Sequence, residues 1–245
     1  MVEIGSGHAE LTRHIFQHPV TVIAVERDSR LAALLARNFQ FSIFNFQTMT
    51  NFQFSDPPRL LIEGDALKVL PRLAEMLQEA GVSYKLVGNI PYYITGRLLR
   101  VIGELQHMPT CVVLTVQKEV AVRMCAVPPK MNLLAASVQF WALPEMLFSI
   151  PKRDFRPPPK IDSAVIRLTP HAEARLDIRD AYYSLAKALF QQPRKTIFNN
   201  LRKSDFGNAG EEALRQTLDA VGVNPNDRPQ NVDVSHIISL VSTHV

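Results

Sequence analysis

Apolar positions in the first half of the chain come in blocks of two alternating kinds. Val2–Ile4 is a short apolar run closed by glycines, and Val20–Val25 is a β-branched run of the kind that forms a buried strand. Leu60–Ile62, Leu86–Val87 and Cys111–Val116 repeat that pattern. Between these runs the apolar positions spread to helical spacing, in Leu11–Phe16, Ser29–Phe39, Leu67–Leu77 and Gly96–Leu105. Ser29 stands where a helix cap would be expected. Strands alternating with helices predict an α/β fold, a parallel sheet covered by helices on both faces.

The pattern changes near residue 150. Lys152–Lys160 is basic and proline-rich, and Asp162–Leu168 is strand-like. Helical spacing follows over 177–191, 193–203, 209–221 and 233–242, broken by Gly222, Pro225 and Pro229. The expected division is a domain over 1–170 and a small all-helical domain over 171–245. An uncharged repeat of Asn-Phe-Gln occupies Asn38–Ser55 and predicts a loop insertion or a β-hairpin.

Composition narrows the class. With 47% hydrophobic and 20% charged residues the chain has the balance of a folded globular protein. Lys and Arg exceed Asp and Glu by 27 to 23, which permits an anionic partner without demanding one. Two cysteines, Cys111 and Cys125, are too few for a disulfide scaffold or a cysteine zinc site, and they suit a reducing cytoplasm. The histidines lack metal-ligand spacing, so no metal is expected. No run approaches the ~18 apolar residues of a membrane-spanning helix, and Met1–Gly5 has no signal-peptide character.

Three strand ends carry candidate chemistry. Gly5 and Gly7 follow the first strand and open a helix, where free N–H groups can approach a ligand. Glu26 ends the next strand, and a carboxylate there can accept both ribose hydroxyls of an adenosine-containing ligand. Asp65, followed by Ala66, closes a third strand and could accept the amine of that ligand's adenine. Glu10 stands where a dinucleotide fold would have its third glycine, which argues against a nicotinamide or flavin cofactor. A tight turn with solvated carboxylates is the plain alternative.

Asn89-Ile90-Pro91-Tyr92 follows the strand at Leu86–Val87. An exocyclic aromatic amine is a poor nucleophile because its lone pair is delocalised into the ring. The Asn89 side-chain oxygen and the Ile90 carbonyl, each accepting one of its hydrogens, would localise that pair. Pro91 would fix the turn and Tyr92 could stack on the base.

Glu3–Gly7, Glu26, Gly64–Ala66, Asn89–Thr95, Gln117–Arg123, Phe155–Val165 and Arg194–Ile197 stand in one order along nearly the whole chain. In that order they resemble the bacterial small-subunit ribosomal RNA adenine dimethyltransferases, the KsgA/RsmA family. This family is similar to the Erm methylases, which act on large-subunit RNA. The resemblance implies a Rossmann-like methyltransferase sheet with S-adenosylmethionine (SAM) as donor. It implies dimethylation of two adjacent adenines near the 3′ end of 16S rRNA, in the immature small ribosomal subunit. Gly5, Gly7, Glu26, Asp65, Ala66 and Asn89 would bind the donor. Asn89, Ile90, Pro91 and Tyr92 would hold the adenine, with Phe155 as the opposing wall. The enzyme is expected to be cytoplasmic and monomeric.

The chain departs from the family at its start. A Gln-Asn-Phe-Leu segment that covers the donor's methionine end in the family is not present in this sequence. Weak donor binding is therefore expected, which calorimetry would test. A binding factor for ribosome assembly that has lost catalysis is the rival reading of that departure, and an Erm-type methylase is the rival enzyme. Basic residues cluster at Arg153, Arg156 and Lys160, and again at Arg194 and Lys195, where no acid lies between Lys187 and Lys203. These would meet RNA phosphates, with binding that weakens steeply as salt rises.

Overall fold

A computed structural model describes residues 1–45, 59–172 and 177–243. The chain forms two compact units, one of residues 1–121 with 145–170 and the other of residues 122–144 with 171–245.

The first unit is built on the predicted sheet. Its strands are β1 (Val2–Ile4), β2 (Val22–Glu26), β3 (Ser42–Asn45), β4 (Arg59–Glu63), β5 (Lys85–Asn89) and β6 (Cys111–Gln117), joined by β7 (Ala142–Ile150) and β8 (Ser163–Pro170). The eight lie in the order β3-β4-β2-β1-β5-β6-β8-β7. The first six are mutually parallel and β8 runs antiparallel to β6. All five residues of β2 are buried, which is why that strand reads as a continuous apolar run rather than an alternating one. Val22 and Ala24 face α1 (Glu10–Ile15) and α2 (Ser29–Phe39) in a core with Ile15, Ala32 and Leu35. Buried Val69, Leu73, Leu98 and Ile102 belong to α3 (Ala66–Glu79) and α4 (Thr95–Gly103).

Several local expectations are corrected. The cap of α2 is Asp28, not Ser29, and its carboxylate accepts the N–H groups of Arg30 and Leu31. The first copy of the Asn-Phe-Gln repeat ends α2 through a left-handed Gln40 and enters β3, which pairs in parallel with β4. Residues 46–55 of the repeat lie outside the described residues.

The second unit holds α6 (Leu133–Gln139), α7 (Arg179–Leu189), α8 (Ile197–Leu201), α9 (Glu211–Ala220) and α10 (Val234–Ser242); α5 (Lys118–Met124) leads into it. Residues 122–144 pack with the C-terminal helices, so a single boundary at 170 does not describe the compact units. Phe140 stacks on Tyr182 at 4.1 Å between ring centroids, and the Tyr182 hydroxyl donates to the Ala136 carbonyl. The helix expected over 193–203 is shorter, because Thr196 caps α8 and the chain before it is a turn.

Candidate active site

Strand order places the site. The chain runs from β1 outward to β2, then returns across β1 to β5, so β1 and β5 flank the point where the connections reverse direction. In open parallel sheets, ligands sit outside the carboxyl ends of the strands at such a point. Register brings the candidate residues to that one end: Ile4 is level with Val25, Glu26 with Glu63 and Asn89 with Thr115.

Gly5 and Gly7 take φ values of +70° and +51°, which a side chain would strain. A Cβ on Gly5 would stand 4.0 Å from both the Asn89 carbonyl and Pro91 Cδ, so the first turn faces the Asn-Ile-Pro-Tyr turn directly. Glu26 is buried and shapes the glycine turn. Its Oε2 accepts the Gly7 N–H at 2.8 Å and its Oε1 accepts the Asp28 N–H at 2.9 Å. Each oxygen keeps a further lone pair for a ligand hydroxyl. The Glu26 carbonyl accepts the Gly64 N–H, which ties the β4–α3 turn to the same point. Asp65 caps α3 with Oδ1 accepting the Leu67 N–H at 3.0 Å, and Ala66 is the first buried residue of that helix.

Asn89 is exposed at the end of β5, and its carboxamide takes no hydrogen bond among the described residues. The Ile90 side chain is buried, which anchors the turn, while its carbonyl accepts no backbone bond among those residues. Tyr92 is half-buried and its hydroxyl is hydrogen-bonded to Ser163 Oγ at the start of β8. The neighbouring Asp162 binds the Phe155 loop: its Oδ1 accepts the Lys152 N–H at 3.0 Å and its carbonyl accepts the Lys118 N–H. Phe155 is half-buried and extended, just past the turn at Lys152–Asp154. Tyr92 and the turn that leads into Phe155 are thus held at the adjacent residues Ser163 and Asp162, without a ring contact between Tyr92 and Phe155 among the described residues.

Arg153, Arg156 and Lys160 are exposed along the same loop, and Arg194 and Lys195 are exposed between α7 and α8. Among the described residues no three His, Cys, Asp or Glu side chains group as a metal site needs, and no helix is long and apolar enough to cross a membrane.

Two contributions to the site appear only in the folded chain. A Cβ on Gly88 would lie 2.8 Å from the Ile4 carbonyl and 3.0 Å from Ile90 Cγ2, so this glycine lets β5 close on β1 just before Asn89. Gly88→Ala is expected to lower unfolding stability by about 1–3 kcal/mol in urea titration, because backbone must move to admit the methyl group. Glu3 is 1% exposed within β1 and accepts the Thr12 hydroxyl at 2.8 Å. Burial pushes its carboxyl above the ordinary 4.5, against the hydroxyl bonds that favour the charged form. The folded state therefore holds the proton more tightly than the unfolded chain does. Stability falls as pH rises from about 4.5 through the raised folded value. Glu3→Gln keeps an acceptor for Thr12 without the charge, so its melting temperature should vary less over that window and exceed that of the unsubstituted protein above it.

The family model for ribosomal RNA adenine dimethylase matches residues 1–243. The chain belongs to the ribosomal RNA adenine dimethylase family. A ribosomal RNA small subunit methyltransferase A of Dehalococcoides mccartyi is 34% identical over 236 residues, covering 96% of this chain and 75% of that protein. A protein of the same name from Pelotomaculum thermopropionicum is 34% identical over 254 residues, covering 99% and 81%. Among solved structures, a dimethyladenosine transferase from Plasmodium falciparum superposes with a TM-score of 0.76 at 23% identity, covering 98% of this chain and 87% of its own. The 23S rRNA methyltransferase ErmE superposes at 0.65 and 23% identity, covering 98% and 88%, a likeness of fold. As a ribosomal RNA adenine dimethylase, the chain is a SAM-dependent methyltransferase with a Rossmann-like sheet.

Proposed function

We propose that this enzyme dimethylates the exocyclic amines of two adjacent adenines near the 3′ end of 16S rRNA in the immature small subunit, acting as a cytoplasmic monomer. The observation that carries the reading is the exposed Asn89 carboxamide, unengaged among the described residues, at the same end of the sheet as a buried carboxylate and a glycine turn. The relatives named for small-subunit RNA support that substrate over large-subunit RNA.

The donor set suits S-adenosylmethionine. Glu26 offers two oxygens to vicinal ribose hydroxyls, and its bonds from Gly7 and Asp28 hold those oxygens in place before ligand arrives. Asp65 Oδ2, unpartnered among the described residues, can accept an adenine amine while Oδ1 caps α3. Gly5 and Gly7 keep the turn free of side chains, and Ala66 keeps the α3 terminus small. When bound, the donor supplies a methyl group on a positively charged sulfur.

The remaining work falls to the chain's own residues. Asn89 Oδ1 and the Ile90 carbonyl accept the two N–H groups of the target adenine in the first transfer, and one of them accepts the single N–H left for the second, drawing the lone pair out of ring conjugation. Pro91 fixes the turn that presents both oxygens. Tyr92, fastened through its hydroxyl to Ser163, stacks on the extruded base, and Phe155 provides the opposing face. Positioning and fixed dipoles supply the rate, and the acidic protonated product releases its proton to water without a strong base. Arg153, Arg156, Lys160, Arg194 and Lys195 hold RNA phosphates.

Immature small subunits and naked large-subunit RNA, each incubated with methyl-labelled donor and digested to nucleosides, separate the readings. Labelled N6,N6-dimethyladenine in small-subunit RNA alone is the expected result. Label confined to large-subunit RNA points to Erm-type specificity, and binding to small subunits with no label in either RNA points to an assembly factor.

A further inference from the structure

Arg194 and Lys195 sit on a turn between α7 and α8 that has no regular structure of its own. It is closed by the Lys195 N–H donating to the Gln192 carbonyl at 2.9 Å and is braced by a residue beyond it. Asn200, in α8, is 5% exposed, and its carboxamide is directed at the turn. Oδ1 accepts the Gln192 N–H at 3.0 Å, and Nδ2 donates to the Gln192 carbonyl at 3.1 Å and the Thr196 carbonyl at 3.0 Å. Nδ2 also reaches the Lys195 carbonyl at 3.4 Å. One buried side chain therefore grips the backbone on both sides of Arg194 and Lys195. Both cationic side chains remain exposed.

We propose that Asn200 is a positioning residue for RNA binding, pre-forming the turn that presents Arg194 and Lys195 to phosphate. The proposal rests on the reading of those two residues as RNA contacts. A turn shaped before the encounter does not spend binding energy on ordering itself. An aspartate in this place could still accept the Gln192 N–H, but it would turn a carboxylate toward the carbonyls of Gln192 and Thr196. The turn would open.

The test uses the full chain, a small-subunit RNA fragment for binding across a salt series, and immature small subunits for turnover. Asn200→Asp is expected to raise KM for RNA about tenfold, the effect of losing buried hydrogen bonds, and to flatten the dependence of affinity on salt. Donor affinity and kcat at saturating RNA stay at the unsubstituted values. Pro193→Gly, at an exposed position on the same turn, loosens it without touching a core residue and should act in the same direction with smaller size. In an Arg194→Ala, Lys195→Ala background, Asn200→Asp should add nothing. If Asn200→Asp and Pro193→Gly both leave KM and salt slope unchanged while the double alanine variant flattens the slope, the positioning role is wrong and the RNA contact stands. If the double alanine variant leaves the slope unchanged, the RNA contact itself is wrong. Should Asn200→Asp fail to fold, Pro193→Gly decides.

Discussion

Replacing Asn89 by alanine should reduce kcat by about 10²–10³, the loss typical of one preorganised polar contact to the reacting group. The Asn89 side chain supports no other part of the protein: it is exposed and takes no hydrogen bond among the described residues. Stability in urea titration should therefore change little beside the fall in rate. Single-turnover kinetics with saturating RNA and donor isolate this effect. A variant that kept more than a third of its rate would remove Asn89 from the chemistry.

Glu26→Ala should act through binding instead. Two N–H groups, of Gly7 and Asp28, lose their acceptor in a half-buried place, and donors left unsatisfied away from water cost up to about 1–3 kcal/mol each. The glycine turn then loses the bond that sets it, and the ligand hydroxyls lose theirs. Donor affinity by calorimetry should fall by about 100-fold or more, as expected for charge-assisted hydrogen bonds worth roughly 1.5–3 kcal/mol each. Unfolding stability should fall as well, unlike the Asn89 variant. The two substitutions divide the site into a group that only meets ligands and a group that also builds the turn.

The residues that meet at the site were readable because each stands at the end of an apolar run. A parallel sheet delivers the carboxyl ends of its strands to one edge, so Gly5, Glu26, Asp65 and Asn89 could be brought together from their positions alone. Residues that act through a long-range contact were not readable. Gly88 looks like any strand glycine until β5 is laid against β1 and the Ile4 carbonyl is found 2.8 Å from where a Cβ would sit. Glu3 reads as part of a motif, yet its burial and its bond from Thr12 appear only when α1 folds over β1. Asn200 sits in what periodicity reads as one continuous helix over 193–203. Its bonds to Gln192 show instead a turn followed by the short α8.

The edge strands were hidden for a different reason. β7 carries Pro144 and exposes Met146, Leu147 and Phe148, so it has neither a clean alternation nor a buried run to mark it. β3 arises inside an uncharged repeat, and only its pairing with β4 identifies it. Neither strand lies at the reversal point between β1 and β5, which is why the site could be read without them.

A structure of the enzyme with donor and a small-subunit RNA fragment would show what holds the reacting amine. The expected result is the target adenine against Tyr92, with its N6 within hydrogen-bonding reach, about 2.7–3.2 Å, of both Asn89 Oδ1 and the Ile90 carbonyl. An adenine amine bonded elsewhere, with the Asn89 carboxamide engaged by the protein or facing solvent, would contradict it.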